Sequence, residues 1–422
     1  MLLQSALVAL GATIAAAVPA LEARGNQFVN PKTNDVFQIV GMAYQIGGSA
    51  GYDPSHGKDP LSNGDVCKRD AAIMQVLGIN TIRVYNLDPN LNHDECASIF
   101  NAAGMYMVID VNSPLVGESL NSLEPWTSYY DTYLNRTFAI VEAFKSYPNL
   151  LGFFSGNEVI SNVKQGGTAP PYIRAVTRDL KQYIKNHADR PIPVGYSAAD
   201  VRDVLEDSWN YFQCSIEGEE DDMSRADMFA LNSYSCPCIL LRVWLQHAFP
   251  RIFTEIGTIY GKQMTPVFSG GVVYEFAQEP NNYGLAEVNK DDSVKLLSDF
   301  KSLKDQYAKV DWKAVQSVKA NGNSILDGGV TPKPVGKIVK VSDYKVTHEV
   351  QDTDGKAITG LAIKPLADDV SNTAGSNNAA TGSGSSSSPS QSGDGKSAGF
   401  RSIAISGAAA GISMLAFLAV SF

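Results

Sequence analysis

The segment Leu150-Leu151-Gly152-Phe153-Phe154-Ser155-Gly156-Asn157-Glu158 decides the reading of this chain. Residues 150–156 form a short apolar run that reads as a strand buried on both faces, and it stops at an amide followed by a carboxylate. Similar strand-like runs lie at 37–44, 81–85, 106–110, 192–196, 228–231 and 267–274. Helical patterns separate them at 66–77, 94–103, 126–146 and 171–187. Repeating β-α units of this length predict an α/β fold with a parallel sheet and helical crossovers. Seven strands are visible, with a gap before the last, and a (β/α)8 barrel is the natural closure. A doubly wound sheet is the other arrangement, but no glycine-rich phosphate loop follows the first strand.

Around that domain, placed at 24–320, the composition changes. A last helix is expected at 294–309. Residues 321–368 form a short extension with strand-like runs at 337–341 and 344–350. Residues 369–395 are rich in Ser, Gly and Asn and read as a disordered stalk. The first 23 residues carry an apolar run of secretory-signal length, although no basic residue precedes Arg24. The last 27, residues 396–422, hold a spacer and an apolar tail after small residues at Ser392 and Gly393. That pattern predicts a glycosylphosphatidylinositol attachment signal removed on maturation; a single membrane span is the alternative.

Composition fits an exported chain. Five cysteines suggest two disulfides and one thiol left over. Asn135-Arg136-Thr137 is an N-glycosylation sequon. The formal net charge of −10, without a basic cluster, argues against nucleic acid as a partner. A neutral polymer such as a polysaccharide is compatible with it.

In a barrel, reactive side chains sit where strands end. Glu158 is therefore placed to act as a general acid on a leaving oxygen, with Asn157 bonding a hydroxyl. The plainer alternative is an acidic residue at a helix N-terminus. Other strand ends carry sugar-binding side-chain types: Gln45, Tyr85, Asp110, Tyr234 and Tyr274. Each alone is more often structural; their shared position carries the weight. The five histidines are scattered and form no His-x-x-x-His pair, so no metal is expected. The acidic run 217–222 lacks the ligand spacing of a calcium loop and reads as a solvated surface. Cys236-Pro237-Cys238 is one residue short of a redox pair.

Taken together, Tyr44-Gln45-Ile46-Gly47-Gly48, Asn80-Thr81-Ile82-Arg83-Val84-Tyr85, Gly156-Asn157-Glu158-Val159 and Phe229-Ala230-Leu231-Asn232-Ser233-Tyr234 resemble the fungal β-1,3-glucanosyltransferases of glycoside hydrolase family 72. Val273-Tyr274-Glu275-Phe276 and Asn281-Asn282-Tyr283-Gly284-Leu285 continue the resemblance, which covers about 25–307. It implies a retaining enzyme that cleaves an internal β-1,3-glucan bond and passes the new reducing end to the non-reducing end of another glucan. Donor and acceptor glucans would be its partners, and no cofactor is implied. Glu158 would be the acid/base, and Gln45, Tyr85, Asp110, Asn157, Tyr234 and Tyr274 would line the glucan groove. Cys67 and Cys96 would form a disulfide. The branch implied is the one without a Cys-rich carbohydrate-binding module, since no cysteine follows Cys238. The location implied is the outer face of the plasma membrane, through the lipid anchor, with passage to the cell wall left open.

The resemblance breaks after Tyr234. The family's seventh strand ends in a Glu that serves as nucleophile. Here residues 236–248 are unrelated and strongly apolar, and no acidic residue lies between Asp227 and Glu255. Glu255 and Glu275 are the nearest replacements, but they match other positions of the family. Either 236–248 come from a mis-spliced or frame-shifted stretch, or the chain is a divergent paralogue that binds glucan without cutting it.

Overall fold

The computed structural model describes residues 18–48, 51–216, 218, 222–233, 251–316, 318, 320, 337–366 and 418–419. The chain opens with a three-stranded antiparallel meander, β1 (Glu22–Arg24), β2 (Gln27–Val29) and β3 (Val36–Phe37). The main sheet follows: β4 (Ile39–Tyr44), β5 (Thr81–Val84), β6 (Tyr106–Asp110), β7 (Leu150–Asn157), β8 (Val194–Ala199), β9 (Met228–Asn232) and β10 (Gly270–Val273). Helices α1 (Gly64–Val76), α2 (Asp94–Ala102), α3 (Asp131–Phe144), α4 (Val163–Gly166), α5 (Pro170–His187), α6 (Arg202–Gln213) and α7 (Ile256–Ile259) alternate with these strands.

The sheet order is β10-β4-β5-β6-β7-β8-β9, with every pair parallel. Pairing of the last strand with the first curls the sheet toward a barrel. Among the described residues, the two-residue strand β14 (Leu418–Ala419) alone lies beyond β9, opposite Ala230 and Leu231, and leaves the barrel incompletely closed at that edge.

Both faces of the strands are buried, so their sequences read as continuous apolar runs. One face packs against the helices in a large cluster that includes Met42, Ile82, Ile109, Phe153 and Val194. The other fills the barrel interior with Ala43, Val108, Phe154, Met228 and Val272. Gly41 lets β4 approach β10, because a Cβ there would lie 2.5 Å from a Val272 methyl. The same interior cluster takes in Val18, Leu21, Ala23, Phe28 and Phe37. Val18 N donates to Asn101 Oδ1 at 3.0 Å, and Tyr106 Oη donates to the Pro19 carbonyl at 2.6 Å. The folded core therefore includes residues 18–23.

Three details depart from the sequence reading. The stretch 294–309 is a short strand, β12 (Val294–Leu296), followed by α8 (Ser298–Tyr307). The helix placed at 126–146 begins at Asp131, after a single 3-10 turn at Pro125–Thr127. The extension has no strand at 337–341, and only β13 (Val350–Gln351) in the second stretch. It joins β12 in a small sheet completed by β11 (Ala286–Val288). The extension is bound to the barrel's flank: Gln75 exchanges two 2.8 Å hydrogen bonds with the Lys364 backbone, and Leu366 N donates to Ala102 O. A short α9 (Trp312–Gln316) follows α8. Cys67 on α1 and Cys96 on α2 are joined as a disulfide, and both are buried.

Candidate active site

The C-terminal ends of β5, β6, β7, β8 and β9 converge on one guanidinium. Arg83 is fully buried. Its Nε and Nη2 donate to the two Asp110 carboxylate oxygens at 2.8 and 3.1 Å. Its Nη1 donates to Ser197 Oγ at 3.1 Å and Asn232 Oδ1 at 3.2 Å, and Nη2 also reaches Asn157 Oδ1 at 2.7 Å. The Tyr85 and Phe154 rings each lie 4.6 Å from the guanidinium carbon. Burial, the largest single effect, pulls this cation's pKa down, but the Asp110 charge and hydrogen bonds together with Tyr85 and Glu158 outweigh it and hold the group above its ordinary value. The arginine stays charged and acts as a fixed donor hub.

Asn232 relays that hub to Glu158. Its Oδ1 accepts from Arg83 and from Ser197 Oγ, the latter at 2.9 Å. That fixes which end of the amide is nitrogen. Its Nδ2 then donates to Asn157 Oδ1 at 2.8 Å and Glu158 Oε1 at 2.7 Å. Asn157 Oδ1 is thereby engaged by two donors, which leaves its NH2 end to face the exposed side. The Glu158 backbone sits in the left-handed region at φ 51°, with its N–H donating to Ser197 O at 2.8 Å. A non-glycine residue held there carries strain of the kind that collects at functional sites. The result is a partly exposed carboxylate pinned by one oxygen, beside an outward-facing amide donor.

The opposite rim is built from β10 and the turn after β4. Gln45 is buried and begins a turn closed by Gly47 and Gly48, both at positive φ. Gly48 sits at φ 61°, in the left-handed region that favours glycine. Tyr274 is half-buried, with its ring 5.8 Å from that of Tyr283. Glu275 is wholly buried; Asn281 Nδ2 donates to its Oε1 at 2.9 Å, while Oε2 has no partner. Burial pushes this carboxyl up to about 7. Arg251 ties the rim to α8 by donating to Tyr274 O at 2.6 Å and Asp299 Oδ2 at 2.7 Å.

The structure therefore brings Glu158, Asn157, Asp110 and Tyr85 around one hub, and places Gln45 and Tyr274 immediately after the ends of β4 and β10. Asp110 is buried and accepts from Arg83 through both its oxygens. Tyr234, Ser392 and Gly393 lie outside the described residues. Asn135 lies on α3, away from this network. Arg83 as a hub, Ser197 and Asn232 were not singled out from sequence. Asn232 ends β9, which is the signal that could have found it, whereas Ser197 lies within β8. Among the described residues no group of His, Cys, Asp and Glu could hold a metal ion. Glu255 caps the short helix α7 rather than ending a strand.

A curled parallel sheet with a carboxylate-amide pair at the end of its fourth barrel strand defines a carbohydrate-active barrel of the glycoside hydrolase type. The glucanosyltransferase model of glycoside hydrolase family 72 matches residues 10–239 and 234–311, and the chain belongs to that family. The two matches meet at the stretch where the sequence resemblance breaks. The chain is 41% identical to the 1,3-beta-glucanosyltransferase gel2 of Aspergillus fumigatus over 431 residues, covering 89% of each. It is 39% identical to the 1,3-beta-glucanosyltransferase GAS4 of Saccharomyces cerevisiae, covering 72% of this chain and 69% of that one. Its fold matches that of Saccharomyces cerevisiae Gas2p bound to laminaritriose and laminaritetraose. That match has a TM-score of 0.61 at 30% identity, over 77% of this chain and 74% of the other.

Proposed function

We propose that this protein is a 1,3-beta-glucanosyltransferase that cleaves β-1,3-glucan and transfers the new end to another glucan chain. The observation that carries this reading is the hub of Arg83, Asn232, Asn157 and Glu158. Asn232 holds one Glu158 oxygen, so the other can present a proton to the glycosidic oxygen as the bond breaks. The same carboxylate then takes a proton from the incoming acceptor hydroxyl, as retention requires. Asn157 offers its amide donors to a hydroxyl of the ring being transferred. Tyr85 and Tyr274 supply ring faces for neighbouring sugars, and Gln45 a polar contact on the far wall.

A retaining mechanism also needs a nucleophilic carboxylate about 5–5.5 Å from the acid. Its place in the family falls in 234–250, where this sequence has no acid. That observation favours a second reading, a wall protein that binds glucan on the same barrel without cutting it. Glu158→Gln tests the first. Transfer from unactivated glucan should fall by about 10²–10⁴-fold while glucan binding is kept. A variant as active as the parent would refute the assignment of Glu158.

The secretory route and lipid anchor are part of the proposal, supported by the apolar run before Val18 and the tail composition of 396–422. Among the described residues no helix is long and apolar enough to cross a membrane. Because Val18 to Ala23 pack into the barrel interior, the leader is proposed to end at or before Ala17. An intact mass beginning beyond Val18 would count against this.

A further inference from the structure

A groove of about 530 Å³ opens on the outer helical layer, lined by Pro89, Asn135, Phe138, Ala139, Glu142 and Tyr183. None of these residues belongs to the Glu158 network. Phe138 on α3 and Tyr183 on α5 stack face to face, with ring centres 4.4 Å apart and planes at 7°. His187 covers the Tyr183 ring at 4.0 Å. Tyr183 Oη donates to Glu142 Oε1 at 3.0 Å. Both faces of Tyr183 are thus covered, which leaves Phe138 as the ring for the C–H face of a pyranose, while the Glu142 carboxylate and the Tyr183 hydroxyl form a polar edge for its hydroxyls.

The occupant is indicated by Asn135. This exposed residue is the acceptor of the sequon Asn135-Arg136-Thr137, and its own side chain lines the groove. Any sugar attached to Asn135 Nδ2 therefore starts inside it. The helix beneath is fixed: Arg136 pairs with Glu118 at 2.6 Å and donates to Leu87 O at 3.0 Å. Thr137 is fully buried, so the sequon is readable only before α3 packs.

We propose that Asn135 carries an N-glycan whose first N-acetylglucosamine lies in this groove against Phe138 and bridges α3 to α5. Attachment joins Asn135 Nδ2 to the anomeric carbon of a lipid-linked oligosaccharide. The amide loses one proton and the lipid diphosphate leaves. The inference rests on the secretory reading, and its test separates the two.

The full chain is secreted from a eukaryotic host, and the glycan at Asn135 is read by peptide mass. Melting is then compared for the intact glycoprotein, the form trimmed to one N-acetylglucosamine, and Asn135→Gln. The trimmed form should melt with the intact one, and Asn135→Gln roughly 2–4 °C lower. In a Phe138→Leu background, loss of the glycan should shift melting by less than 1 °C, because the sugar's partner is gone (approximately additive effects would mean no contact). A chain that the host does not export refutes the secretory reading on which the proposal rests, whereas exported protein with Asn135 unmodified overturns the proposal itself. Equal melting of glycosylated protein and Asn135→Gln, or an undiminished shift in the Phe138→Leu background, overturns the packing itself.

Discussion

Replacing Arg83 by methionine should destabilise the fold more than any single change at the site's rim. Methionine keeps an unbranched stem between the Tyr85 and Phe154 rings but removes five hydrogen bonds, to Asp110, Ser197, Asn232 and Asn157. The larger effect is on Asp110, which is 3% exposed and loses the cation that compensates its buried charge; burial already raises its pKa, so the fold must bear either an unpaired charge or the cost of protonating it. Breaking a buried pair from one side costs about 3–5 kcal/mol, a large share of a net stability of about 5–15 kcal/mol. Adding Asp110→Asn removes the stranded charge and should recover about 1–3 kcal/mol, the usual coupling between contacting residues. Urea unfolding followed by tryptophan fluorescence, with linear extrapolation to water, measures both variants. A loss below about 1 kcal/mol for Arg83→Met, or no recovery in the double variant, would refute the hub as the element that holds these strand ends together.

Three further outcomes are expected. Removing the Cys67–Cys96 bridge, which spans 29 residues, should cost about 3–4 kcal/mol by the loop-entropy estimate, and unchanged unfolding in Cys67→Ser/Cys96→Ser would contradict it. Burial pushes the Glu275 carboxyl up to about 7, with Asn281 opposing and the Glu279 charge adding. A raised folded value means its stabilising contribution is complete below the unfolded pKa and is lost as pH rises through 7. Glu275→Gln should therefore gain on the parent in melting temperature between pH 5 and pH 8, and parallel profiles would contradict this. Peptide mapping across Asn232 to Glu255 should, on the transferase reading, return a longer peptide containing a glutamate; recovery of the Cys236-Pro237-Cys238 peptide would favour glucan binding without cleavage.

Much of the fold was legible because strands buried on both faces announce themselves: 81–85 and 106–110 lie within a residue of β5 and β6. Helix α6 was missed because Arg202, Asp203, Glu206, Asp207 and Asn210 make its sequence read as a polar surface, although Leu205, Trp209 and Phe212 recur at helical spacing and pack inward. The stretch 294–309 misled because the apolar residues of β12 continue smoothly into the helical pattern of α8; only pairing with β11 and β13 reveals a strand. At the site, Glu158 and Asn157 could be read from their position at a strand end. The role of Arg83 could not, since its partners lie 27 to 149 residues away and meet it only when the barrel curls. For the same reason the sequence does not show that both Asp110 oxygens accept from Arg83.

Transfer of glucan, as opposed to holding it, leaves a distinctive product pattern. The most direct test is to incubate the secreted protein with a laminari-oligosaccharide of single length and resolve the products by mass. Products both longer and shorter than the starting sugar are expected, with the new linkages β-1,3 and the anomer retained. Binding without any product would contradict transfer and assign the protein to the glucan-binding reading, and shorter products alone would make it a hydrolase.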